Sequence, residues 1–276
     1  MKKVLLATTA LTLSAGFASA DVSMSGTGGA GVFGANGADL SVYSGVDLGF
    51  SLSGASDTGM TFSASVDMGG GQTLDVGDFE LDTQDMGTDN NTSVTIGVSG
   101  VTIELSQDGI DDLYDDDIAA DIGISGAMGD LTYSVVTGLE DADPTSISIG
   151  YSAGAISGSV ATSDEGDAST VSVSYAMGDI TVSVEADTDR TGADTNTTSV
   201  SYAMGDGMTI SVEESEGVVE ASVAYSSGAI SVGVTADDAA TESWEATMAY
   251  DLGGGATFNL GTNQDETTFA GVGFSF

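Results

Sequence analysis

From about residue 40 onward, apolar side chains recur at every second position in runs of roughly five to ten residues. Val42, Val46, Leu48, Phe50 and Leu52 make one run, and Met60, Phe62, Ala64 and Val66 the next. The pattern returns at Val94, Ile96 and Val98, at Val101, Ile103 and Leu105, and at Val171, Val173 and Tyr175. It continues through Val182 and Val184, Val200 and Tyr202, Ile210 and Val212, and Val223 and Tyr225. Val232 and Val234, Trp244 to Tyr250, Phe258 and Leu260, and Val272 to Phe276 complete it. A period of two is that of a strand, whose successive side chains point to opposite faces. Helical spacing is almost absent, so the chain is expected to be all-β.

The alternate positions carry Ser, Thr, Gly and carboxylates. Asp47, Asp67, Glu104, Glu185, Asp187, Glu213, Glu220 and Glu245 all have the parity opposite to their strand's apolar set. Two architectures share this alternation. In a soluble sandwich the apolar face is core and the acids are solvated. In a membrane barrel the apolar face meets lipid and the acids line a wet lumen.

A repeated turn phrase favours the barrel. Tyr175-Ala176-Met177-Gly178-Asp179 returns as Tyr202-Ala203-Met204-Gly205-Asp206, with looser copies at Tyr151, Tyr225 and Tyr250. These five tyrosines lie 24, 27, 23 and 25 residues apart, the length of one hairpin with its two connections. Connections at the tyrosine end are short. Those at the other end are longer and acidic, such as 163–167 and 187–194, as in barrels with short inner turns and longer outer loops. Tyr151, Tyr175, Tyr202, Tyr225 and Tyr250 then read as an aromatic girdle at a lipid interface. The last strand ends with Phe274 and Phe276 on one face, a candidate assembly signal of bacterial barrels.

Residues 1–20 read as an export signal: Lys2 and Lys3, an apolar stretch from Val4 to Phe17, and Ala18-Ser19-Ala20 before Asp21. Residues 21–276 are then expected to form one barrel domain. No later stretch is apolar enough for a membrane helix. A β-rich chain can face lipid only if it closes, because hydrocarbon cannot satisfy an open sheet edge.

Charge narrows the chemistry. Once the signal is removed, Arg190 is the single basic residue against 43 acids, which excludes nucleic acid as a partner and attracts cations. Cysteine and histidine are absent. The usual metal ligands, nucleophiles and general bases are therefore missing, and the chain is expected not to be an enzyme. The abundant Ser and Thr coat a wet face.

Two long connections are expected. Residues 69–91, with Gly69-Gly70-Gly71 and scattered acids, read as a flexible outer loop. Residues 107–119 hold Asp108, Asp111, Asp112, Asp115, Asp116 and Asp117. That run reads as a solvated loop, as oxygen ligands for calcium, or as a cation-selecting ring in a pore. Its spacing does not match an EF-hand.

The chain resembles the alphaproteobacterial, Rhodobacter-type general diffusion porins of the Gram-negative outer membrane. The resemblance rests on Asp21-Val22-Ser23-Met24-Ser25-Gly26, on Ser53 to Phe62 around the first tight turn, on the turns at Tyr151 to Ile156 and Tyr250 to Ala256, and on the Phe-terminated end. It implies a sixteen-stranded antiparallel up-and-down barrel, a homotrimer among outer-membrane lipid and lipopolysaccharide, and passive passage of small hydrophilic solutes. It also implies that the loop after the fifth strand, here 107–119, folds inward, and that loop carboxylates bind calcium. The family's opposing basic cluster has no counterpart here.

Short turns near Gly59, Gly100, Gly129, Gly154, Gly178, Gly205, Gly228 and Gly254 number eight and require eighteen strands. The surplus hairpin falls at Ala127-Met128-Gly129-Asp130. The expected function is a cation-preferring, water-filled channel. The alternative from a different class is a secreted, acidic, calcium-binding β-rich surface protein or adhesin.

Overall fold

The computed structural model describes residues 17–84, 93–114, 118–139, 144–164 and 168–276; of residues 17–20 and 108 only the backbone is considered. Every regular element among them is a strand. The first nine are β1 (Phe17–Gly34), β2 (Ser41–Ser56), β3 (Thr61–Asp75), β4 (Glu80–Gln84), β5 (Val94–Val98), β6 (Val101–Asp111), β7 (Ala119–Met128), β8 (Leu131–Thr137) and β9 (Thr145–Ala153). The remainder are β10 (Ile156–Ser163), β11 (Ser169–Met177), β12 (Ile180–Thr188), β13 (Asp194–Gly205), β14 (Met208–Ser215), β15 (Val218–Ser227), β16 (Ile230–Asp237), β17 (Trp244–Gly253), β18 (Ala256–Asn263) and β19 (Thr268–Ser275).

Consecutive strands pair antiparallel, except that β5 pairs with β3 rather than with β4, and β1 also pairs with β19, Thr27 opposite Ser275 through Gly34 opposite Thr268. The sheet therefore closes on itself. Strands β4 and β5 share one flank of β3, β4 against Gly71–Asp75 and β5 against Thr61–Ala64, so together they take one place in the circuit. Nineteen strands thus make an eighteen-place barrel. This corrects the sixteen implied by resemblance and agrees with the turn count; the hairpin expected at Ala127 to Asp130 is present as β7 and β8, with Met128 opposite Leu131. Strand β1 includes residues 17–20, upstream of the expected start at Asp21, paired along β2 as far as Ser56.

All eight expected turns are present at one rim. Their chemistry is local. At Gly178 φ is +65°, and the two-residue connection Gly178-Asp179 places glycine first, where a II′ hairpin needs positive φ. The opposite rim has the longer connections with one exception. Between β14 and β15 there are only Glu216 and Gly217, both at positive φ (53° and 85°), a I′-type turn.

The wall is inside-out relative to a soluble protein. Register aligns Val182, Val200, Val212 and Ala221 across β12 to β15 on the outer face. Large apolar side chains there are open, Val173 by 53% and Phe274 by 45%, whereas the described buried apolar residues number seven. An apolar band of this extent facing water would be a severe liability; facing lipid it is the stable arrangement. Closure leaves the wall without an open edge, where each unsatisfied backbone group in hydrocarbon would cost several kcal/mol.

At the seam, Phe274 and Phe276 lie on the outer face with their rings over Gly28 and Gly26 of β1. The Phe276 carbonyl accepts from the Gly26 amide at 3.0 Å, and the reciprocal bond has the same length.

Candidate functional site: the lumen and the elements folded over it

The five tyrosines sit on the outer face in the last turns of β9, β11, β13, β15 and β17, beside the short-turn rim. Register places Tyr175 opposite Val182 and Tyr202 opposite Ile210, within the apolar band.

The inner face holds the acids. Asp47 and Asp67 lie opposite Gly69 and Gly49 on β2 and β3, and Glu104 opposite Gly123 on β6 and β7. Glu185 and Asp187 face Thr197 and Thr195 across β12 and β13. One rung then runs Ser183, Ser199, Glu213, Glu220, Asp237 across five consecutive strands, each directly opposite the next. Glu245 lies nearby, opposite Thr235. Asp237 belongs to this rung although its parity was not singled out in the sequence. Between β10 and β14 the inner face bounds a recess of about 630 Å³ whose lining is mostly Ser, Thr and glutamate.

Of the acidic run 107–119, Asp111 and the backbone of Asp108 belong to strand β6, which extends further than a loop reading allowed. Asp115, Asp116 and Asp117 lie outside the described residues. The described part of the connection, Asp112 to Tyr114, turns over the inner face. The Leu113 amide donates to Ser146 Oγ on β9 at 3.0 Å, and Leu113 packs on the buried cluster of Ile110, Ala120 and Val136. The Tyr114 hydroxyl donates to Asp187 Oδ2 and to the Thr188 carbonyl, both at 3.1 Å, so this connection reaches β12. Burial foremost, and the Asp187 carboxylate after it, push the Tyr114 phenol above its ordinary range. Arg190, in the connection between β12 and β13, stands 3.8 Å from the buried Asp112 carboxylate and 5.8 Å from the centre of the Tyr114 ring. The single basic residue after Lys3 is thus committed to this contact. Among the described residues no three acidic side chains are grouped as a metal site.

The larger departure is at residues 71–84. Read as a flexible outer loop, they form an ordered hairpin of the end of β3 with β4, Leu74 opposite Leu81 and Asp75 opposite Glu80. It lies inside the barrel. At Gly71, where φ is +83°, β3 leaves its partner β2, and the Gln72 backbone fills the space where a side chain on the inward face of Gly45 would be. Phe79 is buried against Phe269 of the β19 inner face, ring centres 5.2 Å apart and inclined 59°. Thr73 and Leu74 share a recess with Tyr43, Thr257 and Asn259, and Val76 shares another with Thr209, Ala224 and Ser231. Under this cover Tyr43 is 4% and Phe269 1% exposed, while the uncovered lumen face opposite remains open. The readable trace was Tyr43 and Phe269 themselves, large aromatics at positions of polar parity.

The comparisons with known proteins agree with the geometry. The family model described as Gram-negative porin matches residues 7–271. No curated protein matches. Among solved structures, a variant of the Rhodopseudomonas blastica porin superposes with a TM-score of 0.59 at 14% identity, covering 93% of this chain and 100% of that one. Another variant of the same porin gives 0.59 at 15% identity with the same coverage. At such identity these structures share the fold, while the family match spans nearly the whole sequence. With a closed antiparallel barrel, an apolar outer band and a polar lumen, the chain belongs to the Gram-negative porin family.

Proposed function

We propose that this outer-membrane porin is a water-filled channel that passes small hydrophilic solutes by diffusion and prefers cations. The observation that carries the reading is the rung of Glu213, Glu220 and Asp237 on adjacent strands. Like charges directly opposite on a sheet are destabilising. Here they face water, where mobile cations relieve the repulsion and become concentrated in the lumen. No basic cluster faces them; Arg190 is held by Asp112 at the mouth. The short-turn rim, beside which β1 begins and β19 ends, faces the periplasm in this reading, residues 1–20 are removed on export, and the barrels assemble as trimers.

Reversal potentials across planar bilayers in a salt gradient test this. The expected sign corresponds to cation permeation. A potential of anion-permeable sign, or the absence of any conductance from correctly folded protein, would overturn the reading.

A further inference from the structure

We propose that the hairpin of residues 72–84 narrows this pore and sets its charge preference. This rests on the channel reading above and adds which residues a solute must pass.

Three independent observations carry it. The first is position. The Gln72 backbone occupies the inward side of Gly45, Phe79 is buried on the inner face of β19, and Val76 lies beside Ala224 and Ser231 on β15 and β16. The hairpin therefore crosses lumen space from the β19 wall toward β15 and β16.

The second is its two-faced pattern. Leu74, Phe79 and Leu81 supply the apolar side, with Phe79 buried and Leu74 and Leu81 half-buried. Asp78, Glu80 and Asp82 are exposed. Apolar groups hold the hairpin to the wall, and carboxylates meet the water.

The third is its free edge. Strand β4 pairs with β3 on one side and, among the described residues, with no strand on the other. An unpaired edge is affordable only where water can satisfy its backbone groups. A hairpin in a wet lumen meets that condition, whereas one in the lipid-facing wall does not.

The turn is preset. Asp75 Oδ1 accepts from the Gly77 amide at 2.7 Å and the Asp78 amide at 3.2 Å, and Gln84 Nε2 donates to Thr73 Oγ1 at 2.8 Å. The three exposed acids are therefore presented from an ordered element inside a lumen whose wall also carries the Glu213–Glu220 pair. Acids on the hairpin and on the wall both attract cations and repel anions.

The test is single-channel recording of the full-length protein in planar bilayers. In one variant residues 73–82 are replaced by Asn-Gly, which closes the existing Gln72–Thr83 pair with a two-residue hairpin turn. Conductance is expected to rise at least twofold. A second variant, D78N/E80Q/D82N, keeps Asp75 and the turn, and its cation-to-anion permeability ratio is expected to fall at least threefold with conductance within a factor of two. Unchanged conductance in the first or an unchanged ratio in the second overturns the proposal, provided the parent channel conducts. A silent parent instead overturns the channel reading itself. Should the shortened chain fail to fold, Asp78→Cys decides. The sequence has no other cysteine, so a cationic methanethiosulfonate marks that site alone. Labelled channels are expected to lose cation preference, and labelled channels with unaltered currents overturn the assignment.

Discussion

The Tyr114 hydroxyl donates to Asp187 Oδ2 at 3.1 Å and thereby ties the connection after β6 to the inner face of β12. With the Leu113 amide on Ser146, this fixes the described part of the connection against the inner wall near the long-connection rim. Tyr114→Phe removes both hydroxyl bonds and is expected to loosen the segment by about 1 kcal/mol. Hydrogen exchange at Leu113 and Tyr114 should accelerate while exchange in β12 stays slow. Unchanged protection at Leu113 would show that Ser146 and the apolar cluster suffice.

The same contact has an alkaline limit. Burial and Asp187 favour the neutral phenol, so the folded pKa lies above the ordinary 10.0. A group raised in this way contributes stability fully below its unfolded pKa and loses it as pH rises through the folded value. The protection factor of the Leu113 amide, taken against its intrinsic exchange at each pH, should therefore be flat to about pH 10 and fall beyond it in the parent. Tyr114→Phe should lack that fall.

Acid acts on the neighbouring connection. Asp189 Oδ1 accepts from the amides of Ala193 and Thr191 and from Thr191 Oγ1, between 2.7 and 2.9 Å. The Ala193 bond first, then the Thr191 hydroxyl, hold this carboxyl below its ordinary 3.8. A depressed pKa contributes order above the unfolded value and loses it as pH falls through the folded one. Limited proteolysis at 189–193 should be slow at neutral pH and quicken only below about pH 4. Quickening at pH 6 would assign the order of this turn to another group.

The seam tolerates no added bulk on its inner side. A methyl on Gly31 would meet the Ala270 carbonyl oxygen, which is backbone, and the Tyr43 ring. Gly31→Ala is expected to cost about 1–3 kcal/mol by overpacking. The midpoint of urea unfolding from lipid vesicles should fall accordingly, and a midpoint equal to the parent's would mean that the seam can part without loss.

Two adjacent residues separate lipid from water. Val184 points outward and is 48% exposed, whereas Ser183 points inward and bonds Ser199 Oγ at 2.6 Å. Val184→Arg is expected to destabilise the barrel in vesicles by about 2–4 kcal/mol, and Ser183→Arg by less than about 1. Ser183→Arg should instead lower the cation preference. Equal costs for the two would contradict a lipid-facing wall.

The barrel was readable because its constraints are periodic. Each lipid-facing strand must alternate, and each two-residue turn needs a residue able to take positive φ, so Val171 to Tyr175 and Gly178 declare themselves locally. Counting such turns gave eighteen places against a family expectation of sixteen. What lies inside the lumen obeys no such period. The pairs Leu74/Val76 and Phe79/Leu81 are too short to declare a strand, and their partners Tyr43 and Phe269 are distant in sequence. The reach of Tyr114 to Asp187 is likewise a through-space relation. Asp108 and Asp111 were misplaced in a loop because β6 is irregular in register between Leu105 and Ile110.

The two-residue connection Glu216-Gly217 also shapes the approach to the channel. Elsewhere the long-connection rim is built up, by 35–40 between β1 and β2 and by 238–243 between β16 and β17. At β14 and β15 the parapet drops, and the Glu213–Glu220 pair lies only three rungs beneath its crest. The mouth is thus a tilted basin with a spillway beside that acidic pair. A positively charged solute drifting along the membrane surface reaches those two carboxylates there without rising over a long loop.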